Sequence, residues 1–134
     1  MASSASDAAE TGIDVFEIEG SAAYTARPHH AHDAAAQMEA MRLIASAFVE
    51  APERILQELV NAAQSLCGAD SAGISLEREG RTDDDFYHWV ATAGQYTGFL
   101  NARLPRYPSA CGVTLERGGP QHFTVGKKLS LIHI

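Results

Sequence analysis

The sequence predicts an α+β fold, and three observations carry that expectation. Apolar residues recur at spacings of three and four between residues 34 and 66. Ala72, Ile74 and Leu76 alternate strictly with Gly73, Ser75 and Glu77. A second run rich in aromatic and β-branched residues, FYHWVATA at 86–93, follows across a polar, aspartate-rich link. Helix, strand, hairpin, strand, short helix and strand in that order belong to a sheet with segregated helices. With 134 residues the chain has room for one domain. Its composition, 46% hydrophobic and 20% charged, supports a modest core and excludes a chain disordered throughout.

Residues 1–33 are rich in Ala, Ser, Asp, Glu and His, without periodicity, and read as a mobile tail. Within it Ile13, Val15, Phe16 and Ile18 mark a short strand or a binding peptide. Residues 34–51 form a linker or signalling helix with Met38, Met41, Ala45 and Phe48 on one face. Pro52 restarts the chain, because proline is tolerated only in the first helical turn, and Glu53 complements the positive end of the helix dipole. Ile55, Leu56, Leu59, Val60, Ala63 and Leu66 make a broad apolar face that Gly68 ends in a left-handed cap. Continued from the first helix across Pro52, the spacing through Ile55, Leu59, Ala62 and Leu66 reads either as a dimer seam or as two helices packed on a sheet, and the proline weighs against an unbroken seam.

After the first strand, residues 79–85 read as a hairpin loop. The returning strand at 86–93 is closed by Gly94. Alternation along it puts Tyr87, Trp89 and Ala91 on one face and His88 on the other. Ser109 caps a short helix over 110–117, Gly118-Gly119-Pro120 stops it, and QHFTV at 121–125 is the expected third strand.

Composition also excludes partners. The net charge of −7, from 17 acidic and 10 basic side chains, repels phosphate backbones, and Lys127 with Lys128 is too small a basic patch for nucleic acid. There is no apolar run of membrane-spanning length and no secretory leader pattern, so cytoplasmic residence is expected. Cys67 and Cys111 are expected to be thiols in a reducing compartment.

Three segments together, LCGADSAGISL at 66–76, FYHWVATAG at 86–94 and PSACGVTLERGGPQHF at 108–123, resemble the first half of a GAF domain. The likeness is to those of bacterial signalling proteins, often upstream of histidine kinase modules, and it covers residues 52–126 as a partial domain. It implies an antiparallel sheet with N-terminal helices packed on one face and a small-molecule pocket on the other. Cyclic nucleotides, bilins and other small effectors are ligands of such domains, and flanking helices relay binding to an output module. One departure is Ala110, where relatives of this kind carry proline. The ending GKKLSLIHI reads either as a non-native tail over 127–134 or as a short terminal strand. On the first reading the sheet is truncated and its open edge makes the chain prone to aggregate.

The candidate ligand-binding residues are Trp89, Tyr107, Ser109 and Cys111. The last three match the stretch that runs close to the chromophore in bilin-binding relatives, although no Cys-His attachment pair follows. Trp89 either lines the pocket or fills the core beneath the helices. Cys111, in a first helical turn, also carries an alternative reading: a redox enzyme similar to the GAF-fold reductases of free methionine sulfoxide. Such chemistry needs a resolving partner, for which the sequence offers only Cys67. His29, His30 and His32 with Asp33 suggest a metal cluster, but zinc needs about four ligands fixed in space, and a polar tail is the expected state. The aspartates at 83–85 lack the spacing of a calcium loop and read as a solvated turn. No catalytic set or metal site is expected, and the sequence names no cofactor. The expectation is a small-molecule sensor, homodimeric through its N-terminal helix, with a redox enzyme or a pure dimerisation module as alternatives.

Overall fold

The computed structural model describes residues 20–29 and 31–123. The expected strand at Ile13–Ile18, His30, and the tail from Lys127 lie outside the described residues. The elements are α1 (Ala22–Thr25), α2 (Ala34–Glu50), a 3-10 turn (Pro52–Arg54), α3 (Ile55–Cys67), β1 (Ser71–Thr82), β2 (Asp85–Gly94), a 3-10 segment (Gln95–Phe99), β3 (Arg103–Leu104) and α4 (Ala110–Arg117). The strands form a three-stranded antiparallel sheet in the order β1-β2-β3, so the class is α+β. Among the described residues no helix is long and apolar enough to cross a membrane.

The chain divides into two compact units, and β1 and β2 each run from one into the other. The first comprises Ala22–Leu76 and His88–Ala102. Here Asp33 caps α2, its Oδ1 accepting the Ala36 N–H at 3.0 Å, which satisfies an otherwise orphaned donor of the first turn. Helix α2 packs against α3. Its covered side is the small one, with Ala47 buried and Ala40 and Ile44 half-buried. The larger side chains expected to share a face stay in solvent: Met38, Met41 and Phe48 are 68%, 66% and 71% exposed. Both series obey the three-four spacing, and the one with short side chains permits the closer helix approach.

Pro52 opens a single 3-10 turn, and the α-helix proper begins at Ile55. Gly68 ends α3 at φ 57°, donating its N–H to the Gln64 and Ser65 carbonyls, as the sequence predicts. Val60 is the central core residue, packed with Ala91 and Ala93 of β2 and with Ala72 and Ile74 of β1. Gln57 Nε2 donates to the Thr92 carbonyl at 2.9 Å, fastening the helix to the strand. Trp89 is elsewhere. It lies across Gly73, whose absent side chain leaves room for the indole, and meets Tyr96 edge-on at 5.2 Å, with Phe99 at 6.5 Å between ring centroids. The expected alternation that puts Trp89 beside Ala91 is therefore not kept.

The second unit comprises Glu77–Tyr87 and, among the described residues, 103–123 with 20–21. Residues 79–85, expected as a loop, are mostly strand: β1 continues to Thr82, β2 resumes at Asp85, and only Asp83 and Asp84 turn. Charge pairing explains how so polar a segment stays extended. The Asp85 carboxylate takes Arg78 and, at 2.9 Å, Arg103, while Glu77 pairs with Arg81 at 3.2 Å. The third strand is also a correction. It is Arg103–Leu104, and residues 121–123 of the expected QHFTV strand have no regular structure. Thr124 and Val125 lie outside the described residues.

Helix α4 has the bounds its sequence predicts. Ser109 caps it, its Oγ accepting the Gly112 N–H at 2.9 Å and donating to the Arg106 carbonyl at 2.9 Å. Gly118 stops it at φ 65°.

Candidate functional site

The second unit holds a cavity of about 210 Å³. Strands β1 and β2 supply Glu77, Phe86 and Tyr87, the loop before α4 supplies Arg106 and Tyr107, and α4 supplies Gly112, Leu115 and Glu116. Each contribution has a local cause. Phe86 and Tyr87 are both buried, and their rings meet edge-on at 4.9 Å. Arg106 donates its backbone N–H to the Asp83 carbonyl at 2.7 Å, which ties the loop to the hairpin turn. Gly112 permits the first turn of α4 to lie against that loop, because any Cβ there would collide with the Arg106 carbonyl. Gly112, Leu115 and Glu116 reach the cavity together because they are spaced three and four along one helix face.

The side chains form a connected set. The Arg106 guanidinium lies 4.9 Å from the ring centroids of both Phe86 and Tyr107, a cation stacked on two π faces. Its Nη1 is 3.9 Å from Asp83. The Tyr107 hydroxyl donates to Glu116 at 2.8 Å. Burial pushes the Tyr87 phenol above its ordinary range, aided by nearby Cys111 and Glu77 and opposed by Arg106. Burial likewise raises Tyr107, and its hydrogen bond to Glu116 adds to the effect. Both phenols therefore remain protonated donors at neutral pH.

Of the four residues the sequence singles out for ligand binding, Tyr107 lines this cavity. Ser109 lies 2% exposed between loop and helix, its hydroxyl engaged in the two capping bonds. Cys111 is half-buried near Tyr87 and is not among the lining residues. Trp89 belongs to the other unit. Glu77, Phe86, Arg106, Leu115 and Glu116 were not anticipated. A local signal that could have found two of them is the helical period that joins Leu115 and Glu116 to Gly112.

Both cysteines are thiols, Cys67 exposed at the end of α3 and Cys111 in the second unit. Asp33 serves as a helix cap, and His32 Nδ1 lies 3.1 Å from Gln37 Nε2. Among the described residues no group of three His, Cys, Asp or Glu side chains could hold a metal ion. No protein-family model, no curated protein and no solved structure matches this chain.

Proposed function

We propose that the chain is a small-molecule sensory domain of the GAF type, from a cytoplasmic bacterial signal-transduction protein. Its ligand occupies the cavity between β1–β2 and α4, and the flanking helices α2 and α3 relay the bound state to an output module such as a histidine kinase. The observation that supports this reading is the place of the cavity. It is lined by Tyr107, which opens the stretch 107–111 that the family resemblance places beside the ligand, and by Gly112, one residue past that stretch. A route for the signal follows from chain continuity, since β1 and β2 each extend into the helix-bearing unit. Ligand binding then shifts helix packing only by as much as it favours one arrangement over the other.

Thermal unfolding in the presence of small effectors, cyclic nucleotides included, tests the proposal. A true ligand at a hundred times its Kd stabilises by about 2.7 kcal/mol, a rise of several degrees in Tm for a domain of this size. Filling the cavity by Leu115→Trp is expected to abolish the rise, whereas Cys111→Ser preserves it. Turnover of free methionine sulfoxide that vanishes in Cys111→Ser moves the assignment to the redox alternative.

The exposed stripe of Met38, Met41 and Phe48 supports a second copy of the chain on α2, because large apolar side chains at that spacing are those of a helix–helix seam. Phe48→Glu is expected to halve the mass seen in sedimentation without changing the helical circular dichroism. An unchanged mass removes α2 as the dimer contact.

A further inference from the structure

We infer that the cavity takes a small organic cation, an amine carried on an apolar or aromatic body; this rests on the sensory reading of the same cavity. The lining holds two carboxylates, Glu77 and Glu116, and one cation, Arg106. The cation is already engaged, lying 4.9 Å from the centroids of both the Phe86 and the Tyr107 ring, with its Nη1 3.9 Å from Asp83. Glu77 is paired with Arg81. Glu116 differs. It accepts the neutral Tyr107 hydroxyl at 2.8 Å, and among the described residues no Lys, Arg or His forms an ion pair with it.

A carboxylate that accepts a phenol's hydrogen bond and has no ion-pair partner among the described residues, in the lining of a cavity that also holds three aromatic side chains, is complementary to an ammonium group. The ammonium donates to Glu116 while the Phe86, Tyr87 and Tyr107 side chains that line the cavity give the apolar body a surface. An organic anion meets the opposite balance, two carboxylates against one guanidinium that already pairs with Asp83. The chain's net charge of −7 acts in the same sense at longer range, concentrating cations near its surface. The space of about 210 Å³ suits a small amine.

Calorimetric titration of the full chain with three probes of one shape decides the matter: phenethylammonium, phenethyl alcohol and hydrocinnamate. The ammonium is expected to bind about tenfold more tightly than the alcohol, the worth of a charge-assisted hydrogen bond in a part-exposed ion pair, and hydrocinnamate more weakly than either. Glu116→Gln, an exposed substitution on α4 whose folding is checked by circular dichroism, is expected to bring the ammonium down to the alcohol and leave the alcohol unchanged. Tighter binding of hydrocinnamate, lost in Arg106→Gln, overturns the inference and makes the cavity an anion site while the sensory reading stands. Equal binding of ammonium and alcohol, or binding of none of the three, also overturns it. The effector screen above then decides the sensory reading separately.

Discussion

Gly94→Val is expected to unfold most of the chain at room temperature, and Gly94→Ala to leave it folded but strongly destabilised. Gly94 stands at φ 66°, ψ −136°, a region in which any Cβ is strained by about 1–3 kcal/mol. There is also no space for a side chain. A Cβ would run into the Asp70 carbonyl oxygen and the Gln64 amide. That oxygen is a junction, accepting the Gln95 N–H at 3.2 Å and the Gln64 side-chain amide at 3.3 Å. Through it the end of α3, the start of β1 and the end of β2 are joined, beside the Val60, Ala91 and Ala93 cluster. Overpacking adds about 1–3 kcal/mol, and the sum is comparable with the whole stability of a small domain. Urea unfolding followed by the emission of Trp89, the single tryptophan, measures it. An alanine variant within about 0.5 kcal/mol of the parent shows that the junction is not as tight as described.

Gly94 also illustrates how far the sequence could be read. It was legible as the end of a strand, because glycine after an alternating run is local punctuation. That the same glycine must face Asp70 is a tertiary fact with no local trace. The caps follow the same division. Gly68, Ser109 and Gly118 behave as predicted because a cap is decided within four residues by backbone donors and left-handed geometry. The β1 extension was misread because a polar stretch looks like a loop until Arg78 and Glu77 are known to have partners at Asp85 and Arg81. The third strand was misplaced for a related reason. Arg103–Leu104 is two residues long, too short to show a period, while QHFTV has strand composition without a described strand at 121–123.

The candidate site was legible only in part, again for physical reasons. Of the four residues named from the sequence only Tyr107 lines the cavity, and the charges that give the cavity its character come from three separate elements. Glu77 lies thirty-nine positions before Glu116, and no spacing rule connects them. The two α2 faces show the limit of periodicity itself. Ala40, Ile44 and Ala47 and the series Met38, Met41, Ala45 and Phe48 both fit a helical stripe, and which one is covered depends on how closely α3 can approach.

Gly112→Val should cost about 2–3 kcal/mol of stability and, more tellingly, remove ligand recognition in a protein that still folds. In an exposed helix the replacement of glycine by alanine gains about 1 kcal/mol from propensity. At Gly112 the environment reverses that sign. A Cβ meets the Arg106 carbonyl, sits 3.1 Å from Ser109 Oγ and 3.4 Å from Tyr107 Cδ1. Ser109 Oγ is the hinge of the arrangement, since it donates to that same Arg106 carbonyl and accepts the Gly112 N–H. A side chain here therefore pushes the loop off the helix, breaks the cap, and carries Arg106 and Tyr107 away from Phe86 and Glu116. The two γ carbons of valine cannot turn aside as a long side chain would, because branching at Cβ fixes χ1. Phenethylammonium titration is expected to lose most of its heat in Gly112→Val, with Gly112→Ala intermediate, while the cooperative unfolding of the α3–β1–β2 core persists. If the valine variant binds the probe as the parent does, the loop is not held by this contact, and recognition must rest on the strand residues Glu77 and Tyr87 alone.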